Sequence, residues 1–293
     1  FKSLATQGTH GTLIDVLDNT DTAGGGRLLK QWLNRPITDK KHLNKRLDIV
    51  GAFVENTRIR EDMRDRLKNV SDIERIVGRV NNGKVTPKEI NGLRLSLEQI
   101  PEIIGALKKT GNTHLKAFTK RFGNTDKIKD KITQTLDLDA PSQIKQGNVI
   151  LSGVDTELDE LRKLRSGGKE WIAEFQSSER ERTGIPSLKI GYNRVFGFYL
   201  EITKTHGDKV PESYIRKQTL VNSERYITPE LKEYEEKILS AEEKIEAIES
   251  KLFYDLCREI LSEAAMIQGN ASVLSRLDVL ANFGQIAKAN KYV

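Results

Sequence analysis

Cysteine is nearly absent from this chain, with Cys257 alone among 293 residues. One thiol closes no internal disulfide, and the usage fits a reducing compartment. Cys257 lies in the apolar helical run Phe253-Tyr254-Asp255-Leu256-Cys257, where a packed, inert thiol is expected. Histidine is scarce too. His10, His42, His114 and His206 are scattered, with no H-E-x-x-H spacing and no cysteine cluster beside them, so no zinc pattern exists. No stretch of about 18 apolar residues occurs, which excludes a membrane-spanning helix. Behind Phe1-Lys2-Ser3 no apolar run of the roughly 7–15 residues of a secretory signal is visible. The chain opens on Phe1 and stops at Tyr292-Val293 just after a helical pattern, and both ends read as cut from a longer protein.

Catalytic signatures are missing as well. Gly24-Gly25-Gly26 precedes a helix, yet no Gly-Lys-Ser/Thr ending and no β-rich strand accompany it, so the phosphate cradle is incomplete. Close helix–helix approach explains these glycines better. Ser177, Ser178 and Ser223 lack the Gly-x-Ser-x-Gly elbow of a nucleophile. The carboxylates Glu230, Glu233, Glu235, Glu236, Glu242 and Glu243 alternate with Lys232, Lys237 and Lys244, which is a solvated helix face rather than a metal site.

What is present is helix. Charged residues make up 31% and apolar ones 37%, a balance that suits long exposed helices. Asp21-Thr22 offers a cap for Arg27-Leu28-Leu29-Lys30-Gln31-Trp32-Leu33, which Asn34-Arg35-Pro36 ends. Thr38 starts the next helix, and 3–4 spacing of apolar residues predicts helices over 59–80, 87–109 and 115–135, with Pro101 kinking or restarting the third. The stretch Pro141-Ser142 to Ile150 interrupts this bundle. A long helix is predicted over 153–183, stopped at Thr183-Gly184-Ile185-Pro186. A second begins at Pro229, with Leu231, Tyr234, Ile238, Ala241, Ile245, Ile248 and Leu252 in a coiled-coil-like 3-4 repeat. The two should pack as an antiparallel pair.

Between them the period changes. Leu188, Ile190 and Tyr192 alternate, as do Phe198, Leu200 and Ile202, and 215–220 and 225–228 are strand-like. Asn193-Arg194 and Val221-Asn222-Ser223 read as turns. The fold class is therefore mainly α: a multi-helix core bundle with long antiparallel helices carrying a small antiparallel β-rich insertion of about four strands. Charge is uneven across it. Lys189 to Arg225 holds seven basic and four acidic residues, whereas Tyr226 to Ser250 holds eight acidic and three basic. The overall +6 is a weak mean field, so the basic tip is what matters, and it points to phosphate contact there.

Three segments carry a family resemblance. Thr183-Gly184-Ile185-Pro186-Ser187-Leu188-Lys189-Ile190-Gly191-Tyr192-Asn193-Arg194-Val195-Phe196-Gly197-Phe198-Tyr199-Leu200-Glu201-Ile202 and Arg216-Lys217-Gln218-Thr219-Leu220-Val221-Asn222-Ser223-Glu224-Arg225-Tyr226-Ile227-Thr228-Pro229 resemble the clamp of the bacterial MutS family of DNA mismatch-recognition proteins. The opening from Thr12-Leu13-Ile14-Asp15 through Gly26-Arg27-Leu28-Leu29-Lys30-Gln31-Trp32-Leu33-Asn34-Arg35-Pro36 resembles the start of that family's core domain. The likeness implies a helical core with a first lever arm over 1–185, a clamp over 186–228, and a second arm returning over 229–293. It implies double-stranded DNA as partner, with the intact protein's missing domains, a second subunit of a homodimer and a MutL-type repair protein as further partners. It also implies a bacterial cytoplasmic setting, nucleoid-associated when DNA is bound. ATP and Mg are expected only for the absent ATPase domain; neither that loop nor a Phe-x-Glu wedge is found here, so no cofactor, catalysis or mismatch selectivity is expected.

The DNA-backbone candidates are Arg216, Lys217, Asn222 and Arg225 first, then Lys189, Asn193, Arg194 and Lys204, because cations and amide donors at fixed strand and turn positions suit phosphate oxygens. Tyr192, Phe196, Phe198, Tyr199 and Tyr226 are expected to pack in the sheet, since a paired duplex offers no unstacked base. The acidic second arm leaves an alternative open: a structural module that docks other proteins and has no DNA affinity in isolation.

Overall fold

The computed structural model describes residues 11–193 and 195–292. In chain order the α-helices are α1 (Leu13–Leu17), α2 (Ala23–Asn34), α3 (Lys40–Glu55), α4 (Thr57–Leu67), α5 (Ile73–Asn81), α6 (Pro87–Lys108), α7 (Thr113–Phe118) and α8 (Asp126–Thr135). They are followed by α9 (Thr156–Ser166), α10 (Gly168–Thr183), α11 (Pro229–Ser262) and α12 (Ala264–Asn290). Between α10 and α11 lie the strands β1 (Lys189–Asn193), β2 (Gly197–Thr203), β3 (Ile215–Thr219) and β4 (Ser223–Ile227). The chain divides into two compact units: residues up to Leu151 together with those from Leu252 onward, and Ser152–Lys251.

In the first unit α12 is the central post, and α2, α3, α4 and α5 pack around it. Six consecutive residues, Leu277, Asp278, Val279, Leu280, Ala281 and Asn282, are buried, so over this stretch the helix is enclosed on all sides and not along one stripe. Such enclosure needs small residues on the facing helices. A Cβ on Gly25 would fall 2.1 Å from Asp278 Oδ2, one on Gly24 2.4 Å from Ser275 Oγ, and one on Gly284 2.5 Å from Phe53 Cβ. Gly24 and Gly25, in the first turn of α2, thus serve close helix approach. Thr22 caps α2, accepting the Gly25 amide at 2.9 Å.

Helix α6 starts with a reciprocal cap: Thr86 Oγ1 accepts the Glu89 amide at 3.2 Å and Glu89 Oε2 accepts the Thr86 amide at 2.9 Å. It runs unbroken through Pro101, where a kink or restart was expected; Leu93, Leu97, Ile100 and Ile103 are all buried, and that packing outweighs the one missing backbone bond. Other boundaries also differ from the sequence reading. The 59–80 pattern is two helices, because Asp72 caps α5 on the Arg75 amide and restarts the chain. The 115–135 pattern is α7 and α8 separated by a loop whose Gly123 amide donates to Asn270. Helix α3 begins at Lys40, capped by Asp39 rather than opened by Thr38.

In the second unit the helix expected over 153–183 is α9 and α10, divided at Gly167, where paired glycines lower helix propensity. Gly168 faces Tyr234 and Ile238 of α11 at 3.3–3.4 Å from a notional Cβ, so the glycines again admit a neighbour. The arms run antiparallel: Arg162 of α9 pairs with buried Glu249 of α11, while Trp171 of α10 stacks on Tyr234 with ring centroids 3.6 Å apart. Along α11 the 3-4 seam is real, with Leu231, Tyr234, Ala241 and Ile245 buried. The sheet has order β1-β2-β4-β3, antiparallel throughout. Its inner face closes a small core of Ile185, Leu188, Leu200, Ile202, Tyr214, Tyr226 and Leu231, with Phe175 and Phe198 against it.

Candidate nucleic-acid interface

Strand register decides which candidate side chains meet. Residues directly opposite in an antiparallel pair share a face. Leu200 opposes Tyr226 and both are buried, so that face is the inner one. Glu201 opposes Arg225 on the other face, Lys189 opposes Glu201 there too, and Gln218 opposes Arg225. A polar row Lys189–Glu201–Arg225–Gln218 therefore crosses the outer face.

Within that row Arg225 is fully engaged. Its Nε donates to Glu201 at 2.9 Å, a second nitrogen donates to Gln218 Oε1 at 2.9 Å, and its guanidinium carbon sits 4.4 Å from the Tyr199 ring centroid. Tyr199 in turn lies where a side chain on Gly191 would be, 2.6 Å from a notional Cβ. Arg216, nine residues earlier, points to the opposite face. It pairs with Glu224 at 3.1 Å but keeps 61% of its side chain exposed. The Tyr226 hydroxyl also donates to Glu224. That bond, and then the Arg216 cation, hold the Glu224 carboxyl below the usual range, while burial pushes the Tyr226 hydroxyl up to about 12.

Lys217 occupies a β-bulge between Arg216 and Gln218 on the edge strand β3. It is exposed and has no ion pair among the described residues. A lysine on a bulge also discourages the edge from pairing with another sheet. The Lys204 amide donates to the Asn222 carbonyl at 3.1 Å, so these two exposed residues stand side by side. Thr203 opposes Ser223 at this end of the sheet, and the C-terminus of α10 reaches it too, since Lys209 Nζ lies 3.5 Å from the Gly184 carbonyl. This is the outer end of the unit.

The other turn lies elsewhere. Asn193 opposes Gly197, six positions along β2 from Thr203, which is about 20 Å at strand rise. Asn193 spends its side-chain oxygen on the Val195 amide at 2.7 Å, and Gly197 lies under the buried carboxylate of Glu235. Arg194 lies outside the described residues. The structure thus gathers Lys204 and Asn222 at the outer end, keeps Lys189 and Lys217 on the same sheet's edge strands, and sets Asn193 apart. Sequence reasoning passed over hydroxyls beside Lys204: Thr203 Oγ1 contacts Ser187 Oγ and Thr205 Oγ1, each at 2.9 Å. The Thr203-Lys204-Thr205 run was the available signal. Of the aromatics, Phe198 and Tyr226 pack inward, while Tyr192 is 60% exposed.

The described residues hold no group of three or more His, Cys, Asp or Glu able to bind a metal. A helical core, antiparallel arms and a small sheet with cations at its outer end define a lever-and-clamp module. The chain belongs to the MutS family: residues 1–284 match the family model for MutS domain III. It is 44% identical over 291 residues to the DNA mismatch repair protein MutS of Salinibacter ruber, covering 99% of this chain and 32% of that protein. The MutS of Flavobacterium johnsoniae is 46% identical over 282 residues, covering 96% and 32%, and that of Caldanaerobacter subterraneus 43% over 283 residues, covering 97% and 33%. The chain spans about a third of the length of these curated relatives. Domain III is distinct from the family's ATPase domain. No helix among the described residues is long and apolar enough to cross a membrane.

Proposed function

We propose that this chain grips duplex DNA through its sugar–phosphate backbone, without reading sequence, as the lever and clamp of a mismatch-repair protein. In this reading residues 186–228 are the clamp, 1–185 the core with the first arm, and 229–293 the returning arm. Direct contact falls to Lys189, Lys204, Lys217 and Asn222, with Arg216 adding its exposed edge. Arg225 and Asn193 shape the sheet that presents them, and Arg194 joins the set by sequence alone. The observation that carries the reading is the pairing pattern: Arg225 is neutralised within the sheet, whereas Lys217 and Lys204 make no ion pair among the described residues, Lys204 feeling Glu224 only at longer range. Uncompensated cations release phosphate counterions on binding and give no base preference.

The arms transmit the gripped state toward the rest of the protein. Mismatch selection, ATP hydrolysis, homodimer formation and any MutL-type partner belong to that remainder, in a bacterial cytoplasm at the nucleoid. Anisotropy of a labelled, fully paired duplex tests the grip. The Lys189→Ala/Lys204→Ala/Lys217→Ala variant should bind far more weakly, with a salt slope shallower by about 0.9 for each phosphate it no longer neutralises. Undiminished binding by the folded variant rejects these residues as the point of attachment. No binding by the unaltered chain favours the protein-docking alternative, for which the exposed acidic face of α11 is the relevant surface.

A further inference from the structure

The helical unit carries a second cationic surface that gripping DNA at the clamp does not use. A groove of about 660 Å³ opens between α2, α3, α7 and α12. Arg35, Lys45, Arg46, Arg121 and Arg276 line it, and no Asp or Glu does. None of the five has an ion pair among the described residues. Two histidines that also line the groove meet carboxylates, His42 with Asp39 at 2.9 Å and His114 with Asp48 at 3.4 Å.

Two of the arginines are held by aromatic faces. The Arg46 guanidinium carbon is 3.6 Å from the Trp32 ring centroid, and that of Arg121 is 5.2 Å from the Phe118 centroid. Stacking fixes the plane of a guanidinium and leaves its in-plane N–H donors unspent. Burial, and after it the neighbouring Arg276 cation, pull the Arg46 pKa below its ordinary value.

The lining also selects the kind of anion. Leu28, Trp32, Ile49, Phe118 and Leu280 give it an apolar component. A free phosphate would meet the cations and leave that surface wet, and a duplex is too wide to enter. A peptide bearing both carboxylates and aliphatic side chains satisfies the two together, and the volume falls in the range of ligand-sized sites. We propose that this groove docks an acidic, aliphatic-bearing peptide segment of a partner protein, with carboxylates on Arg46, Arg121 and Arg276 and apolar side chains against half-buried Leu28 and the remaining surface of Trp32. The site lies in a different unit from the clamp, so it stands or falls independently of the DNA reading.

Trp32 and Trp171 are the only two tryptophans. A Trp171→Phe protein therefore reports the groove through Trp32 emission alone. Titration at physiological salt with a capped peptide alternating Glu and Leu should give a saturable change. Arg46→Gln and Arg276→Gln in that background should each weaken the midpoint about tenfold, as expected for removing a charge-assisted bond. Circular dichroism checks that the fold persists; Arg276 is exposed, so its substitution leaves the core intact. Three results overturn the proposal: no response to the peptide, an unchanged midpoint in both arginine variants, or equally tight binding of inorganic pyrophosphate or a paired duplex.

Discussion

The Asp278 carboxylate accepts the Thr22 amide at 2.8 Å and the Thr22 hydroxyl at 2.6 Å, although 256 positions of sequence separate the two residues. The Asp21 amide adds a third bond at 3.0 Å. A side chain on α12 thereby orders the start of α2, and Gly25 leaves the room for it.

Gly25→Ala should destabilise the helical unit by about 1–3 kcal/mol, the usual cost of forcing an atom into a packed contact, even after the gain in helix propensity. Gly105→Ala makes the same change in the last turn of α6, where a Cβ would meet nothing within 4 Å. It should stabilise by about 0.5–1 kcal/mol. Thermal unfolding of the two variants side by side checks the opposite signs; two shifts of the same sign would contradict the packing described.

Burial holds the Asp278 carboxyl above its ordinary value of 3.8, with the Thr22 and Asp21 bonds opposing it. The folded protein thus binds this proton more tightly than the unfolded chain, and the contribution to stability is full below 3.8 and lost as pH rises through the raised folded value. Asp278→Asn has no such proton. The melting temperature of the unaltered protein minus that of the variant should fall as pH rises from 3.8 upward. A difference that grows instead would show that the three donors dominate and hold the carboxylate charged.

Glu249 is fully buried and pairs with Arg162, which ties α9 to α11. Removing the cation leaves a carboxylate in a low-dielectric seam, and Arg162→Met should cost about 3–5 kcal/mol. Urea unfolding followed by Trp171 emission in a Trp32→Phe background reads this unit, since Trp171 stacks on Tyr234 between the arms. A loss below about 1 kcal/mol, the worth of an exposed pair, would mean that the seam is wet.

Much of this fold was legible because periodicity is a local property. The seam of Leu231, Tyr234, Ala241 and Ile245, and the alternation of Phe198, Leu200 and Ile202, are visible without knowing what they face. Breaks at 68–72, at 119–125 and at Gly167 were not, because in-phase apolar residues on both sides mask a change of direction made by one cap or one loop. The candidate site divides in the same way. Its charges can be counted in the sequence, but their cancellation depends on register. Arg225 meets Glu201 across 24 positions, and the bulge at Lys217 helps turn Arg216 and Gln218 to opposite faces.

The helical unit is discontinuous in sequence, and this sets an order on its biosynthesis. Leu29, Phe53 and Ile76 emerge from the ribosome early, yet the post they pack around is made only after the intervening Ser152–Lys251. At translation rates of about 5–20 residues per second, the unfinished half waits about 7–28 s after Leu151 for α12 to be complete. During that interval its apolar surfaces are bare while the arm-and-sheet unit, complete in sequence, can already fold. The nascent chain therefore depends on whatever shields α2 to α5 until the last helix arrives.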